Sequence, residues 1–156
     1  MRVRRSSQRT SAATRAEVRP ARGDAEVGAA LDLRERVFAV EQGVDPAADR
    51  DGRDHEALHL VAVEGEHVIG TCRLVFNGSQ ARLGRLAVLR SRRREGLGTL
   101  LLAEADRQAK SAGARRIDLH AQLPARELYL RGGYSERGAV FVEEGIEHVA
   151  MDKRLA

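Results

Sequence analysis

The residues best suited to chemistry lie in a short stretch, Arg93-Arg94-Glu95-Gly96-Leu97-Gly98-Thr99, where a β-like run ending at Leu89 gives way to a helical pattern beginning near Leu97. Two glycines at such a junction let the backbone turn tightly and approach a ligand. The free amide hydrogens of the first helical turn and the positive end of the helix dipole then converge on one point, an arrangement that binds phosphate. Arg90, Arg92, Arg93 and Arg94 add charge for a di- or triphosphate, which guanidinium groups can contact in bidentate fashion. The stretch is not a P-loop, which needs Gly-Lys-Ser/Thr, and not a dinucleotide fingerprint, because no third glycine follows Gly96-x-Gly98. A plain glycine-containing turn in an Arg-rich chain is the structural alternative.

A second motif points to different chemistry. His55-Glu56-Ala57-Leu58-His59 matches the zinc-protease pattern, in which two histidines one helical turn apart hold the metal and the glutamate activates water. That arrangement requires a helix, whereas a polar loop with Gly52 precedes the motif and a β-branched run follows it at once. No metal is therefore expected. Asp49-x-Asp51-Gly52 is too short in register for a calcium loop. Cys72 stands alone, which excludes a disulfide framework and a thiolate zinc cluster.

The elements that must position these residues follow from periodicity. Val27, Ala30, Leu31, Arg34, Val37 and Phe38 recur at helical steps after Asp24, and Gly43 ends that helix. Leu58–Val63, His67–Phe76 and Arg82–Leu89 read as three strands separated by Glu64-Gly65-Glu66 and by the Asn77-Gly78-Ser79 turn, giving an antiparallel meander. Leu97–Ala112 is predicted as a helix, Arg116–Gln122 as a half-buried strand, and Ala125–Arg131 as a short helix stopped by Gly132-Gly133. Residues 139–153 supply one or two closing strands around a turn near Glu144-Gly145. The expected fold is a single α/β domain with a mixed, mostly antiparallel central sheet flanked by helices.

Arg93-x-x-Gly96-x-Gly98, preceded by Leu86-Ala87-Val88 and followed by an amphipathic helix, resembles the acyl-CoA-binding motif of the GNAT superfamily of N-acetyltransferases. Gln122 and the run from Ala125 to Tyr134 are similar to that family's short helix with an aliphatic-Tyr pair and a Gly-aromatic end. Arg36-Val37-Phe38-x-x-Glu41-Gln42-Gly43-Val44 and Gly145-Ile146-Glu147-His148 resemble its ElaA-like branch. The resemblance covers about residues 23–154. It implies that Leu86, Ala87 and Val88 pair with the pantetheine arm of acetyl-CoA, that Arg93, Arg94, Gly96, Leu97, Gly98 and Thr99 hold its pyrophosphate, and that Gln122 joins the cofactor contacts.

The implied reaction is direct attack of an amine on the thioester, with no protein nucleophile. A primary amine with a pKa of about 10 must first lose a proton. The departing thiolate then leaves more readily if a hydroxyl protonates it, and Tyr129 occupies the position where the family carries that acid; a buried core tyrosine is the alternative. The family's common base, a Glu on the strand before the phosphate loop, is missing, since that strand reads ARLGRLAVL. His120, Glu41, Glu144 and His148 remain open as bases, directly or through water.

The net charge of +4 is unevenly distributed. Residues 1–22 hold seven Arg against Glu17, whereas 41–66 hold eight acids against two Arg, and 81–94 hold six Arg and no acid. Residues 1–22 are expected to form a flexible basic tail, and residues 23–156 the acetyltransferase domain. The acidic 41–66 stretch is either a solvated face or an attractive rim for a cationic amine. No apolar run approaches the ~20 residues of a membrane span, and a secretory leader is lacking, so a cytoplasmic protein without membrane partners is expected.

The expected function is transfer of acetyl from acetyl-CoA to a primary amine of a small molecule. Two other readings stand beside it: a non-catalytic acyl-CoA sensor, and a nucleic-acid-associated protein acting through the tail. The net negative charge of residues 23–156 and the absence of a stacking aromatic platform disfavour nucleic acid. A homodimer is compatible with everything in the sequence.

Overall fold

The computed structural model describes residues 16–156. Seven strands form one sheet in the order β1-β2-β3-β4-β5-β7-β6. They are β1 (Glu17–Pro20), β2 (Leu58–Glu64), β3 (His67–Asn77), β4 (Gln80–Val88), β5 (Arg116–Gln122), β6 (Ser135–Glu143) and β7 (Ile146–Arg154). All neighbours are antiparallel except β4 and β5, which are parallel and joined by the crossover helix α3 (Leu97–Ser111). The remaining helices are α1 (Gly23–Arg34), the single turn α2 (Pro46–Asp49) and the short α4 (Arg126–Arg131).

Burial follows the alternation of side chains in each strand. Leu60, Leu74, Leu83, Ile117, Leu119 and Met151 face α3, whose Leu101, Leu102, Ala105 and Ala109 complete the main core. The opposite face of β2 presents Val61 and Val63 to Ala30 of α1, while Leu33 and Val37 pack on Ala87 of β4. With both faces covered, β2 reads as a continuous apolar run, whereas β5 alternates buried Ile117, Leu119 and Ala121 with Asp118 and His120 on the other face.

Three sequence expectations change. The tail does not extend to residue 22: Glu17–Pro20 is an edge strand paired antiparallel with Leu60–Val63. Arg19, counted among the tail's free charges, lies between Glu17 and Glu26 at 3.1 and 2.7 Å. Four residues with a proline are too short to read as a strand, and only the open edge of β2 makes them one. The expectation for residues 1–15 lies outside the described residues. The first helix also does not run unbroken to Gly43. After Arg34 it widens into a π-helix over Glu35–Glu41, with Gln42 N–H donating to the Val37 carbonyl at 3.2 Å, before Gly43 ends it at φ +73°. Finally, the closing hairpin begins at Ser135, four residues before the expected 139.

Candidate active site

β4 and β5 pair only over Gln80–Arg82 and Arg116–Asp118. Beyond that point β4 continues along β3 to Val88 and β5 continues along β7 to Gln122, so the two strands diverge and a wedge opens between them. A bulge in β4 opposite Thr71–Arg73 accounts for the divergence, because an extra residue bends the strand that carries it. The bulge holds Arg85 at φ +56°, a left-handed conformation that an arginine adopts only under constraint. The wedge widens into a cleft of about 600 Å³ lined by Leu86 from β4, His120 and Gln122 from β5, and Tyr129 from α4, among others.

The predicted phosphate loop lies where β4 passes into α3, outside the lining of that cleft. Gly96 stands immediately before α3 at φ +85°, where a side chain would be strained, and Arg94 precedes it at φ +69°. Gly98 lies against α4: a methyl group there would meet Leu128 at 3.1 Å. Leu97 is buried while Thr99 is exposed. Arg90 and Arg94 are exposed and form no ion pair with a described residue. The other loop arginines are engaged. Arg92 reaches Glu64 and Glu95 at 2.6 and 3.0 Å. Arg93 grips Glu41 through both terminal nitrogens at 2.8 and 3.0 Å, and its Nε donates to the Val88 carbonyl at 2.9 Å.

Gln122 is also engaged, exchanging amide hydrogen bonds with Gln42 at 2.9 and 3.3 Å. Thus Glu41 and Gln42, at the end of the π-helix, clasp both sides of the wedge: Arg93 beyond β4 and Gln122 on β5. Leu86 and Val88 pack partly against the main core, and Ala87 is buried under α1. The β5-facing edge of this segment has no strand partner among the described residues.

Tyr129 is buried in the main core, with its ring edge-on to Tyr134 at 6.0 Å between centroids, and it also lines the cleft. Its hydroxyl has no hydrogen-bond partner among the described residues. Burial pushes this phenol well above the ordinary tyrosine range, so it is protonated throughout the physiological pH range. An unpartnered, protonated hydroxyl at the edge of a cleft is equipped to donate a proton.

Asp45 and Glu66 are exposed, but Asp49, Asp51 and Asp54 form neither a solvated face nor a free acidic rim, because arginines occupy them. Arg34, only 1% exposed, reaches Asp49 at 3.2 Å and Asp54 at 2.7 Å. Arg73 binds Asp51 and Asp54 at 2.5 and 2.9 Å, and Arg85 binds Asp49 and Asp51 at 3.1 and 3.3 Å. Hydrogen bonding to Arg73 holds Asp51 far below the usual carboxylate range. Burial works against ionisation of Asp54, yet Arg34 and Arg73 hold it low. Three guanidinium groups against three carboxylates leave a neutral wall that pins residues 49–54 to the sheet. The one sequence trace of this network is Arg34, an arginine at an apolar position of the first helix. The zinc-like motif is not helical: Asp54–Glu56 is a 3-10 turn, and His59 lies buried in β2 with Nε2 at 2.9 Å from the Asp54 carbonyl.

Comparison with known proteins bears on this arrangement. The model of the acetyltransferase (GNAT) domain matches residues 19–155. The chain is 32% identical over 136 residues to the uncharacterized N-acetyltransferase YjcF of Bacillus subtilis, covering 85% of this chain and 96% of that protein. Its structure is similar to that of an acyl-CoA N-acyltransferase from Pseudomonas aeruginosa, with TM-score 0.79 and 27% identity over 88% of this chain and 99% of that one. Escherichia coli ElaA shares the fold at TM-score 0.79 and 23% identity, over 88% and 99% of the two chains.

Proposed function

The chain belongs to the GNAT acetyltransferase family, and on that premise we propose that it transfers acetyl from acetyl-CoA to a primary amine of a small molecule. The observation that carries this reading is the wedge between β4 and β5, with Tyr129 at its side and a left-handed Gly96 at its end. The pantetheine arm lies along the free edge of Leu86, Ala87 and Val88, adding backbone hydrogen bonds where β5 has withdrawn. The pyrophosphate lies over Arg93 to Thr99, where the first amides of α3 point outward and Arg94 is free. Arg93 joins it by releasing Glu41, and Gln122 joins the cofactor by releasing Gln42.

This placement brings the thioester into the cleft near Tyr129. The deprotonated amine attacks the carbonyl carbon, the C–S bond breaks, and its electron pair leaves on sulfur. Tyr129 gives its proton to that sulfur and is restored by the proton the new amide nitrogen sheds. Of the cleft's carboxylates, Asp49 and Asp51 are neutralised by arginine, so a dense polycation gains little from this wall and a small amine suits it. The test is calorimetry with acetyl-CoA followed by thiol release across a panel of primary amines. No binding at millimolar acetyl-CoA overturns the reading. Binding without release for any amine supports the acyl-CoA sensor instead.

A further inference from the structure

The cleft contains one imidazole held by a carboxylate. His120 Nδ1 lies 2.8 Å from Glu143 Oε1, a contact between β5 and the far strand β6 that reaches across β7. The residue opposite His120 on β7 is Ala150, whose small side chain shares that face of the sheet and leaves room for the contact. Phe141 packs edge-on against the imidazole at 4.9 Å and 76°, and stacks in turn on His148 at 5.8 Å. The ring is thereby held from two sides.

The hydrogen-bonding groups around His120 specify its tautomer. A carboxylate only accepts, so Nδ1 carries the proton toward Glu143. A guanidinium only donates, and Arg82 approaches Nε2 at 3.5 Å, so Nε2 presents its lone pair. Arg82 is itself held by Asp118 at 2.6 Å. The charged and titratable groups facing the ring are therefore Arg82 from β4, Asp118 from β5, Glu143 from β6 and, through Phe141, His148 from β7. This is the tautomer a base needs. The 3.5 Å contact from Arg82 is long beside its 2.6 Å bond to Asp118, so an incoming ammonium displaces it from Nε2 while the carboxylate behind the ring holds the imidazole in place.

The other carboxylates are less suited. Glu41 does not line the cleft, and Asp49 and Asp51 are committed to the arginine wall. The Nδ1 of His148 faces the Ile146 carbonyl at 2.7 Å, which offers no counter-charge, and Glu144 lies at the hairpin turn at φ +52°. We propose that His120 is the general base that takes the ammonium proton of the acceptor, and that Glu143 is the residue that positions it. The proposal rests on the acetyl-transfer reading. The substrate R–NH3+ gives one proton to Nε2, the freed lone pair attacks the thioester, and the imidazolium returns its proton to water after the thiol departs.

The test uses the best amine from the panel with acetyl-CoA. His120→Asn keeps an N–H toward Glu143 and removes the accepting nitrogen along with the ring contact to Phe141. It is expected to lower kcat/KM by about 10²-fold or more, the usual contribution of a general base, while acetyl-CoA affinity stays unchanged. Glu143→Gln is expected to cost less and to lower kcat while leaving the KM for the amine little changed, because a loosened ring still leaves the substrate site intact. Glu143→Asp should recover part of that loss. Long-range 1H–15N spectra, which need no acceptor, are expected to show the Nδ1–H tautomer at His120. A wild-type rate in His120→Asn, or an Nε2–H tautomer, overturns the proposal while leaving acetyl transfer standing. Bound acetyl-CoA with no turnover of any amine by the wild-type chain overturns the acetyl-transfer reading, and the proposal with it.

Discussion

The clasp between Glu41 and Arg93 makes Glu41 an internal competitor for the cofactor's pyrophosphate. In Glu41→Gln the carboxylate is gone, and Arg93 meets the pyrophosphate without first giving up an ion pair. The side chain of Arg93 is 40% exposed and that of Glu41 19%, so the pair belongs with solvent-screened bridges worth roughly 0.2–1 kcal/mol. Releasing that amount tightens acetyl-CoA binding by about 1.4- to 5-fold. Isothermal titration of both proteins at low ionic strength measures the difference directly. Raising salt toward 1 M, where the screening length falls to about 3 Å, should narrow the gap. In an Arg93→Ala background Glu41→Gln should have no effect, which isolates the pair from any change elsewhere. Weaker binding by Glu41→Gln would refute the reasoning, because it would mean that Glu41 presents Arg93 to the ligand rather than withholding it.

Tyr129→Phe should leave acetyl-CoA affinity unchanged and lower kcat by about 10²-fold, the low end for a general acid because a thiolate leaves well, as measured by thiol release. Gly96→Ala forces a side chain into the left-handed region and should cost about 1 kcal/mol of stability by denaturant titration, with weaker acetyl-CoA binding. Arg34→Met takes the buried arginine from Asp49 and the partly buried Asp54, leaving them only Arg85 and Arg73, and should cost on the order of 3 kcal/mol in thermal or chemical unfolding at pH 7. Asp54, whose carboxyl is held low in the folded chain, contributes stability above its unfolded pKa of about 3.9 and loses it as pH falls through the lower folded value. The gap between Arg34→Met and wild type should therefore shrink below about pH 4, and a gap that does not vary with pH counts against the ionic account.

Local pattern made much of this molecule legible. The glycines near Arg93, the alternation in Arg116–Gln122 and the helical steps of 97–112 each depend on a few neighbouring residues, and each element lies close to its expected place. What escaped depends on partners far along the chain. Glu17–Pro20 becomes a strand only because β2 offers an open edge. Asp49 and Asp54 look solvated until α1 brings Arg34 to them from 15 and 20 positions away. The pairing of His120 with Glu143 requires the register of two strand pairs and a small residue between them. The β4 bulge that opens the wedge is marked in LGRLAV only by Gly84, because Arg85 itself has none of the usual preference for a left-handed conformation.

The neutral wall of Arg34, Arg73 and Arg85 also bears on how the cleft responds to heat. Hydration of charged groups becomes less favourable as temperature rises, so the cost of keeping these ions out of water falls while the gain from aliphatic burial levels off. The stretch from Asp49 to Asp54 should therefore keep its grip on the sheet relatively better as the chain warms. The clasp of Glu41 and Gln42, held by side chains that are partly or fully open to solvent, has no such protection. Warming should loosen the gate over the cofactor wedge before it disturbs the arginine-held wall of the cleft, so that cofactor entry and the shape of that wall respond to different temperature ranges.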